Sequence, residues 1–153
     1  MPPPEPVWAV PEFVVASFVL VLVVISLGIW GVISVVSGWR ELAERFKSDA
    51  SLEGEQFRFR SGAMGPRYFP VNYGSCLFAT VGQNGFALSL LFLFRFLHPR
   101  LVIPWSAVER CEPVKYWFMN YIAVHIVGFG RRILLGGGLG KKVLETWTQT
   151  RKR

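Results

Sequence analysis

The segment GGGLGKK, Gly136 to Lys142, follows the apolar run RRILL and precedes a helical pattern, the layout of an element that grips phosphate. A Walker A loop needs Gly, four residues and then Gly-Lys-Ser/Thr, so that backbone amides cradle the phosphates and a hydroxyl meets magnesium. Counting back five from Gly140 reaches Leu135 instead of glycine, and Lys142 stands where the hydroxyl belongs. Only Glu145 follows as an acid, so no downstream strand offers a magnesium ligand. The segment therefore reads as a glycine-rich connection into a last helix. Free amides at that helix start, with Lys141 and Lys142, have the chemistry to meet an anion such as a lipid phosphate.

The remaining reactive residues do not assemble into a catalytic pattern. His98 and His125 have no recognisable nucleophile or metal partner, and His98 lies in a Pro-Arg turn. Glu109 and Glu112 flank Cys111 at i, i+3, a spacing that does not converge on one strand face. Cys76 and Cys111 sit in apolar, strand-like runs without CxxC or Cys/His spacing, as expected of small buried thiols in a reducing compartment. The expectation is a protein that is not an enzyme, with no catalytic set, no metal site and no cofactor. More informative is VKYWFMNY, Val114 to Tyr121, which crowds aromatic residues beside Lys115 between two strand patterns. As a hairpin tip, Lys115, Trp117, Phe118 and Met119 suit the headgroup region of a membrane. The alternative is that these side chains alternate between a core and a partner surface. Arg58, Arg60 and Arg67 with Tyr68, Phe69 and Tyr73 have the chemistry to stack bases, but no RNP-like motif accompanies them, and nucleic acid is disfavoured.

These residues must be positioned by two very different parts of the chain. From Phe13 to Trp39 there is no charged residue, and Val14 to Val36 is a stretch of 23 mostly Val, Leu and Ile positions. At about 1.5 Å per residue such a helix crosses a hydrocarbon core of about 30 Å with some tilt. In lipid only a helix satisfies every backbone group within one segment. A cleaved signal peptide would need a basic leader and a shorter apolar core; here MPPPEPVWAVPE carries two acids, no Lys or Arg and five prolines. Arg40, Arg45 and Lys47 follow the span at once and no basic residue precedes it, so the positive-inside rule places the N-terminus outside. The resulting organisation is a Pro-rich extracytoplasmic tail at 1–12, a transmembrane helix at 13–39, a juxtamembrane helix and linker at 40–55, and a cytosolic domain at 56–153, in an inner or plasma membrane. Trp8, Phe13 and Trp39 suit interfacial belts. Trp39, Leu42, Ala43 and Phe46 share helical spacing, which predicts that the membrane helix runs on as an amphipathic collar.

Beyond residue 55 the pattern is β-like. FRFRS alternates apolar and basic residues, and VGQNGFAL predicts a hairpin with Asn84-Gly85 as a type I′ turn. In its second arm Leu88, Leu90, Phe92, Phe94 and Phe96 share one face, while Ala87, Ser89, Leu91, Leu93 and Arg95 share the other. A second membrane helix over Gly85 to Trp105 is disfavoured, because Arg95 and Arg100 would be carried into lipid. Short strands follow at LVIPW, SAVERCEPV, YIAVHIVGF and RRILL, with Pro104 at an edge or bend. LGKKVLETWTQT then forms a closing helix with Leu139, Val143, Leu144 and Trp147 on one stripe. That makes six or seven antiparallel strands and one helix.

The hairpin VGQNGFAL, the segment LVIPWSAVERCEPV and the last helix together resemble the pleckstrin-homology-like superfold, in particular the GRAM and bacterial PH-like domains found beside membrane helices. The resemblance covers residues 56–150. It implies a mainly antiparallel, partly open barrel closed by a C-terminal helix and acting as a binding or scaffolding module, although fold likeness does not by itself define a function. Charge points to a surface for it. Residues 40–55 carry three basic and five acidic side chains, whereas residues 56–153 carry fourteen basic and three acidic ones, a net charge of +11. Under a membrane, each Lys or Arg held near anionic headgroups contributes about 1 kcal/mol, and tethering raises the effective concentration. The expected partners are the membrane itself, anionic lipid headgroups and an unidentified protein. The alternative function is an accessory subunit that docks on a larger membrane complex through its membrane helix and the Leu91/Leu93 face.

Overall fold

The computed structural model describes residues 10–152, so most of the Pro-rich tail, including Trp8, lies outside the described residues. Helix α1 (Glu12–Ser37) is 26 residues long and apolar enough to cross a membrane. Its side chains are almost entirely exposed, with 6% of its most apolar window buried, so the rest of the chain does not cover it as it would a core helix. The helix does not run on into the collar. It stops at Gly38, whose φ of 84° is the left-handed conformation that ends helices, and α2 (Trp39–Phe46) starts anew. A side chain at Gly38 would also collide with Phe129, whose ring carbons lie 2.8 Å from the Cβ position. The stripe of α2 follows the predicted spacing: Trp39 and Leu42 are buried, Ala43 and Phe46 half-buried.

Among the described residues nine strands form two antiparallel sheets, two or three strands more than the pattern predicts. One sheet has the order β1-β4-β5-β6, from Gly54–Arg60, Leu77–Gly82, Gly85–Leu90 and Leu101–Pro104. The other has the order β3-β2-β9-β8-β7, from Val71–Asn72, Gly62–Gly65, Arg132–Gly136, Met119–Ile126 and Val108–Tyr116. Helix α3 (Gly137–Arg151) closes the domain, but the sheets do not close into a barrel. The core lies between them. Phe86, Leu88 and Ile103 of the first sheet face Val124, Ile126 and Ile133 of the second, and Leu139, Val143 and Trp147 of α3 complete it. The edge position of β6 matches the missing donor of Pro104.

Three local expectations are corrected. The β4–β5 hairpin exists, but Val81 pairs with Phe86 and neither Asn84 nor Gly85 takes a positive φ, so the turn is not type I′ at Asn84-Gly85. Gly85 is needed because any Cβ there would clash with the Ile103 carbonyl of β6. The arm after Gly85 does not stay extended to Phe96: β5 ends at Leu90 and a 3-10 turn occupies Phe92–Phe94. Trp39, expected in an interfacial belt, is fully buried because its indole Nε1 donates to the Pro99 carbonyl at 2.9 Å inside the domain.

The GGGLGKK run also gains a structural explanation. Strand β9 leads straight into α3, and Gly140 lets the first turn of that helix lie against Ile122 and the Leu135 carbonyl, where a Cβ would clash. The glycines permit close packing of a helix on a sheet, so the segment is an ordered helix start.

Candidate functional site

The C-terminal turns of α1 are tied into the sheet domain by a buried cluster of polar and aromatic groups. The Ser37 hydroxyl donates to the Ser34 carbonyl at 3.3 Å, and accepts from the Tyr73 hydroxyl at 2.7 Å and the Trp39 amide at 3.2 Å. That uses its one donor and both lone pairs, as a buried hydroxyl requires. Burial, partly opposed by the Ser37 bond, pushes the Tyr73 phenol up to about 12. His98 sits in the middle, fully buried, with its ring edge-on to Trp30, Trp39 and Tyr73 at centroid distances of 5.9, 5.3 and 5.6 Å. Neither ring nitrogen has a hydrogen-bond partner. Burial pulls its pKa down to about 4, slightly opposed by the Phe94 backbone.

His98 ends a segment, Leu91 to His98, that folds back onto α1. The Phe94 ring lies 4.0 Å from that of Trp30, and the Ser34 hydroxyl donates to the Leu97 carbonyl at 2.9 Å. These contacts turn the rest of the segment outward. Phe92 is 71% exposed, Phe96 84%, and Leu93 lies between them with Arg95 also exposed. Sequence reading assigned these residues to a strand, because alternating Leu and Phe look the same whether a sheet or an apolar helix receives every second one.

Behind this segment a cleft of about 910 Å³ opens on the outer face of the first sheet. Its floor includes Ala87 and Ser89, and its walls carry Lys47, Arg58, Arg95 and Arg100, with Asp49 the one acid among its lining residues. None of the four cations is ion-paired among the described residues. A β-bulge shapes the wall on β1: the register with β4 slips between Phe57 and Arg60. Phe57 stays in the core, and Phe59, at φ 52°, is thrown outward onto Phe78 with ring centroids 5.0 Å apart. A bulky residue in the left-handed region is strained, and bulges of this kind re-aim side chains. The alternation of FRFRS did not disclose the slip.

The aromatic tip is where the sequence puts it. Trp117 and Phe118 form the two-residue turn between β7 and β8, 76% and 90% exposed, with Met119 beside them and Lys115 exposed on β7. Trp117 has φ 54° and is, with Phe59, one of two positive-φ residues other than glycine among the described residues. A groove of about 440 Å³ runs from the tip to Pro70 and Asn72. Lys141 is exposed at the start of α3, while Lys142 pairs with Glu55 at 3.0 Å. Arg40 is exposed on α2, the Arg45 guanidinium lies 4.9 Å from the Phe46 ring centroid, and the Lys47 backbone bridges to Leu101. Arg131, just before β9, reaches Glu41 at 2.6 Å and so ties the β8–β9 connection to α2. His125, without a partner in the sequence pattern, meets Glu112 at 3.1 Å across the β7–β8 pair. Cys111 is buried and its thiol is pushed up to about 12 by that burial, whereas Cys76 is half-buried. No protein-family model matches the chain, and no curated protein sequence does.

Proposed function

We propose that this chain is a single-pass protein of the inner or plasma membrane, N-terminus outside, whose sheet domain is a PH/GRAM-like binding or scaffolding module lying against anionic headgroups in the cytosol. It works by binding and not by catalysis. The observation that carries this reading is the docking of Leu91–His98 on the end of α1. A span that enters at Phe13 uses about 20 residues to cross a core of about 30 Å, and so leaves lipid near Val32. Trp30 and Ser34 bracket that level, and the segment packed on them presents Phe92, Leu93 and Phe96 beside it. Exposed aromatic and aliphatic groups at this depth are the composition of an interfacial anchor. The same contacts favour retention of α1 over its removal as a signal peptide, since Ser34 and Ser37 belong to the domain's own hydrogen-bond network.

The test uses the full chain in membranes and in lipid nanodiscs. Alkaline washing should leave the protein in the membrane fraction. A Cys76→Ser background leaves Cys111, whose buried thiol resists labelling, so that a dye can be placed at Phe96→Cys or at Asn84→Cys on the distant β4–β5 turn. Quenchers carried on lipid tails should quench the Phe96 site and spare the Asn84 site. Equal quenching at the two sites, or release by alkali, would refute the reading. The accessory-subunit alternative, docking through α1 and the Leu91/Leu93 face, is favoured by one specific observation, the exposure of Leu93 beside Phe92. Stoichiometric co-purification of a single protein in mild detergent, lost in Leu91→Ala with Leu93→Ala, would support it.

A further inference from the structure

The outer-face cleft on the first sheet has a chemistry that the membrane-facing reading does not by itself require. Four cations converge on it against one acid, and none has an ion-pair partner. Three cations elsewhere in the domain have carboxylate partners: Arg110 takes Glu112, Arg131 takes Glu41, and Lys142 takes Glu55. A second basic hollow is lined by Arg67, Arg110, Arg131 and Arg132, and of these Arg110 and Arg131 are ion-paired. In the first cleft all four cations lack an ion pair among the described residues, and apolar rings stand among them, with Phe59 and Phe78 on one wall and Phe96 on the other. Like charges held together without counter-charge repel one another, an arrangement that favours a bound anion. The bulge that throws Phe59 outward leaves a strained backbone at this wall, where a straight strand would have sent the ring inward.

We propose that this cleft binds the headgroup phosphate of an anionic phospholipid from the adjoining leaflet, with Arg58 and Arg100 on opposite walls gripping the phosphate and Phe59, Phe78 and Phe96 receiving the first carbons of the acyl chains. Guanidinium groups suit this task because their planar fork pairs two donors with two phosphate oxygens. Phe96 belongs to the segment packed on α1, so a lipid standing beside that segment can offer its headgroup to the cleft without leaving the membrane. The inference rests on the membrane-apposed reading above and adds to it a discrete binding site and the residues that hold the phosphate.

The experiment titrates purified full-length protein, in an uncharged detergent, with dihexanoyl phosphatidylglycerol, dihexanoyl phosphatidylcholine and glycerol 3-phosphate, read by calorimetry. Saturable binding of the phosphatidylglycerol is expected, at least tenfold tighter than that of the other two. Equal binding of glycerol 3-phosphate would make the ligand a soluble phosphate ester and overturn the lipid assignment; equal binding of the phosphatidylcholine would overturn the anionic selectivity. Arg58→Gln with Arg100→Gln should weaken binding about thirty-fold, as two charges of about 1 kcal/mol each imply when 1.4 kcal/mol is a factor of ten. Arg151→Gln with Lys152→Gln, at the end of α3 and outside the cleft, should leave it within twofold. Both double variants should keep the wild-type melting transition, and Phe59→Ala provides a second, uncharged test that should weaken the lipid and not glycerol 3-phosphate. Wild-type affinity in the Arg58/Arg100 variant, or no saturable binding by the wild type, would overturn the site. If the site fails while a dye at Phe96 is still quenched from the lipid tails, the membrane-apposed reading stands without it; loss of both removes the two together.

Discussion

His98 offers a direct test of how the long apolar helix α1 is joined to the domain. It is fully buried between Trp30 of α1, Trp39 of α2 and Tyr73, and no charged group is among its ring partners. The Tyr73 phenol, raised to about 12, stays neutral over the whole working range. With a folded-state pKa of about 4 against 6.5 unfolded, His98 is neutral in the folded protein over the window between the two values, while the unfolded chain takes up a proton. Stability is therefore complete above pH 6.5, falls as the pH drops toward 4, and levels off below that. The full window is worth about 3 kcal/mol at 1.36 kcal/mol per pKa unit, and about 2 kcal/mol is already lost at pH 5. For a domain of about 100 residues 1 kcal/mol is about 4–8 °C in Tm, so the wild type should melt about 8–16 °C lower at pH 5 than at pH 7.5 from this group alone.

The comparison is with His98→Leu, which removes both the titration and the two unpartnered nitrogens at similar volume. Thermal unfolding of the full chain in mild detergent, followed by tryptophan fluorescence, should give the wild type a steeper fall with acid than the variant. The difference between the two slopes isolates His98, since carboxylates titrate in both proteins. Parallel curves would refute the claim that His98 is held neutral by burial. A junction that opened readily to water would produce that result.

Gly140→Ala places a methyl against the Leu135 carbonyl and Ile122, so α3 must lift from the sheet; a loss of about 1–3 kcal/mol in chemical denaturation is expected, and an unchanged midpoint would deny the close approach. Gly85→Ala should be similarly costly because of Ile103, whereas Asn84→Val should stay within about 0.5 kcal/mol of wild type, as for an exposed position with an ordinary backbone; a severe Asn84→Val defect would restore the type I′ turn. A fluorescent reporter fused to the C-terminus should be active in the cytosol, and replacing Arg40, Arg45 and Lys47 with Gln while adding lysines near Glu5 should reverse part of the population; a phosphatase reporter active outside in the wild type would overturn the orientation.

The parts of the fold that were legible are those in which one face of an element meets one environment. Ile122, Val124 and Ile126 recur at every second position because that side of β8 faces the main core, with Tyr121 and Ala123 in a smaller apolar cluster on the other side, and Leu139, Val143 and Trp147 recur at helical spacing because α3 lies on the sheet. Where two apolar environments compete, the period loses its meaning. Leu91 to His98 could satisfy its Phe and Leu residues against a sheet or against the side of α1, and periodicity does not distinguish these. The second environment prevails because Trp30 and Ser34 offer a ring and a hydroxyl at the right level of the helix. Trp39 misled for a related reason. A tryptophan next to a span belongs equally to a headgroup belt and to a core that comes close to the membrane, and the choice depends on the Pro99 carbonyl sixty residues away. The candidate cleft was hidden for a third reason, since a one-residue slip between Phe57 and Arg60 leaves no mark on the alternation that would reveal it.

A net charge of +11 over residues 56–153 describes a basic domain without saying where its charge can act. The ion pairs decide that. Glu41, Glu55 and Glu112 each hold a cation, and they do so on α2 and α3, at the start of β1 and across β7–β8. Such partly exposed pairs contribute little to stability, commonly less than about 1 kcal/mol each. Their larger effect here is on the outward field, because each pair cancels a charge that would otherwise attract headgroups. The four unpaired cations of the outer-face cleft adjoin the segment that packs on α1, the side that the proposed reading turns toward lipid. If attraction followed total charge, adding a carboxylate anywhere on the domain would weaken membrane contact alike. If it follows the four cations gathered in the cleft, Ser89→Asp on the cleft floor should weaken it sharply, while Thr148→Asp on the exposed face of α3 should have little effect. Equal effects of the two substitutions on binding to vesicles of mixed neutral and anionic lipid would show that the field is diffuse and that the pairing pattern does not direct it.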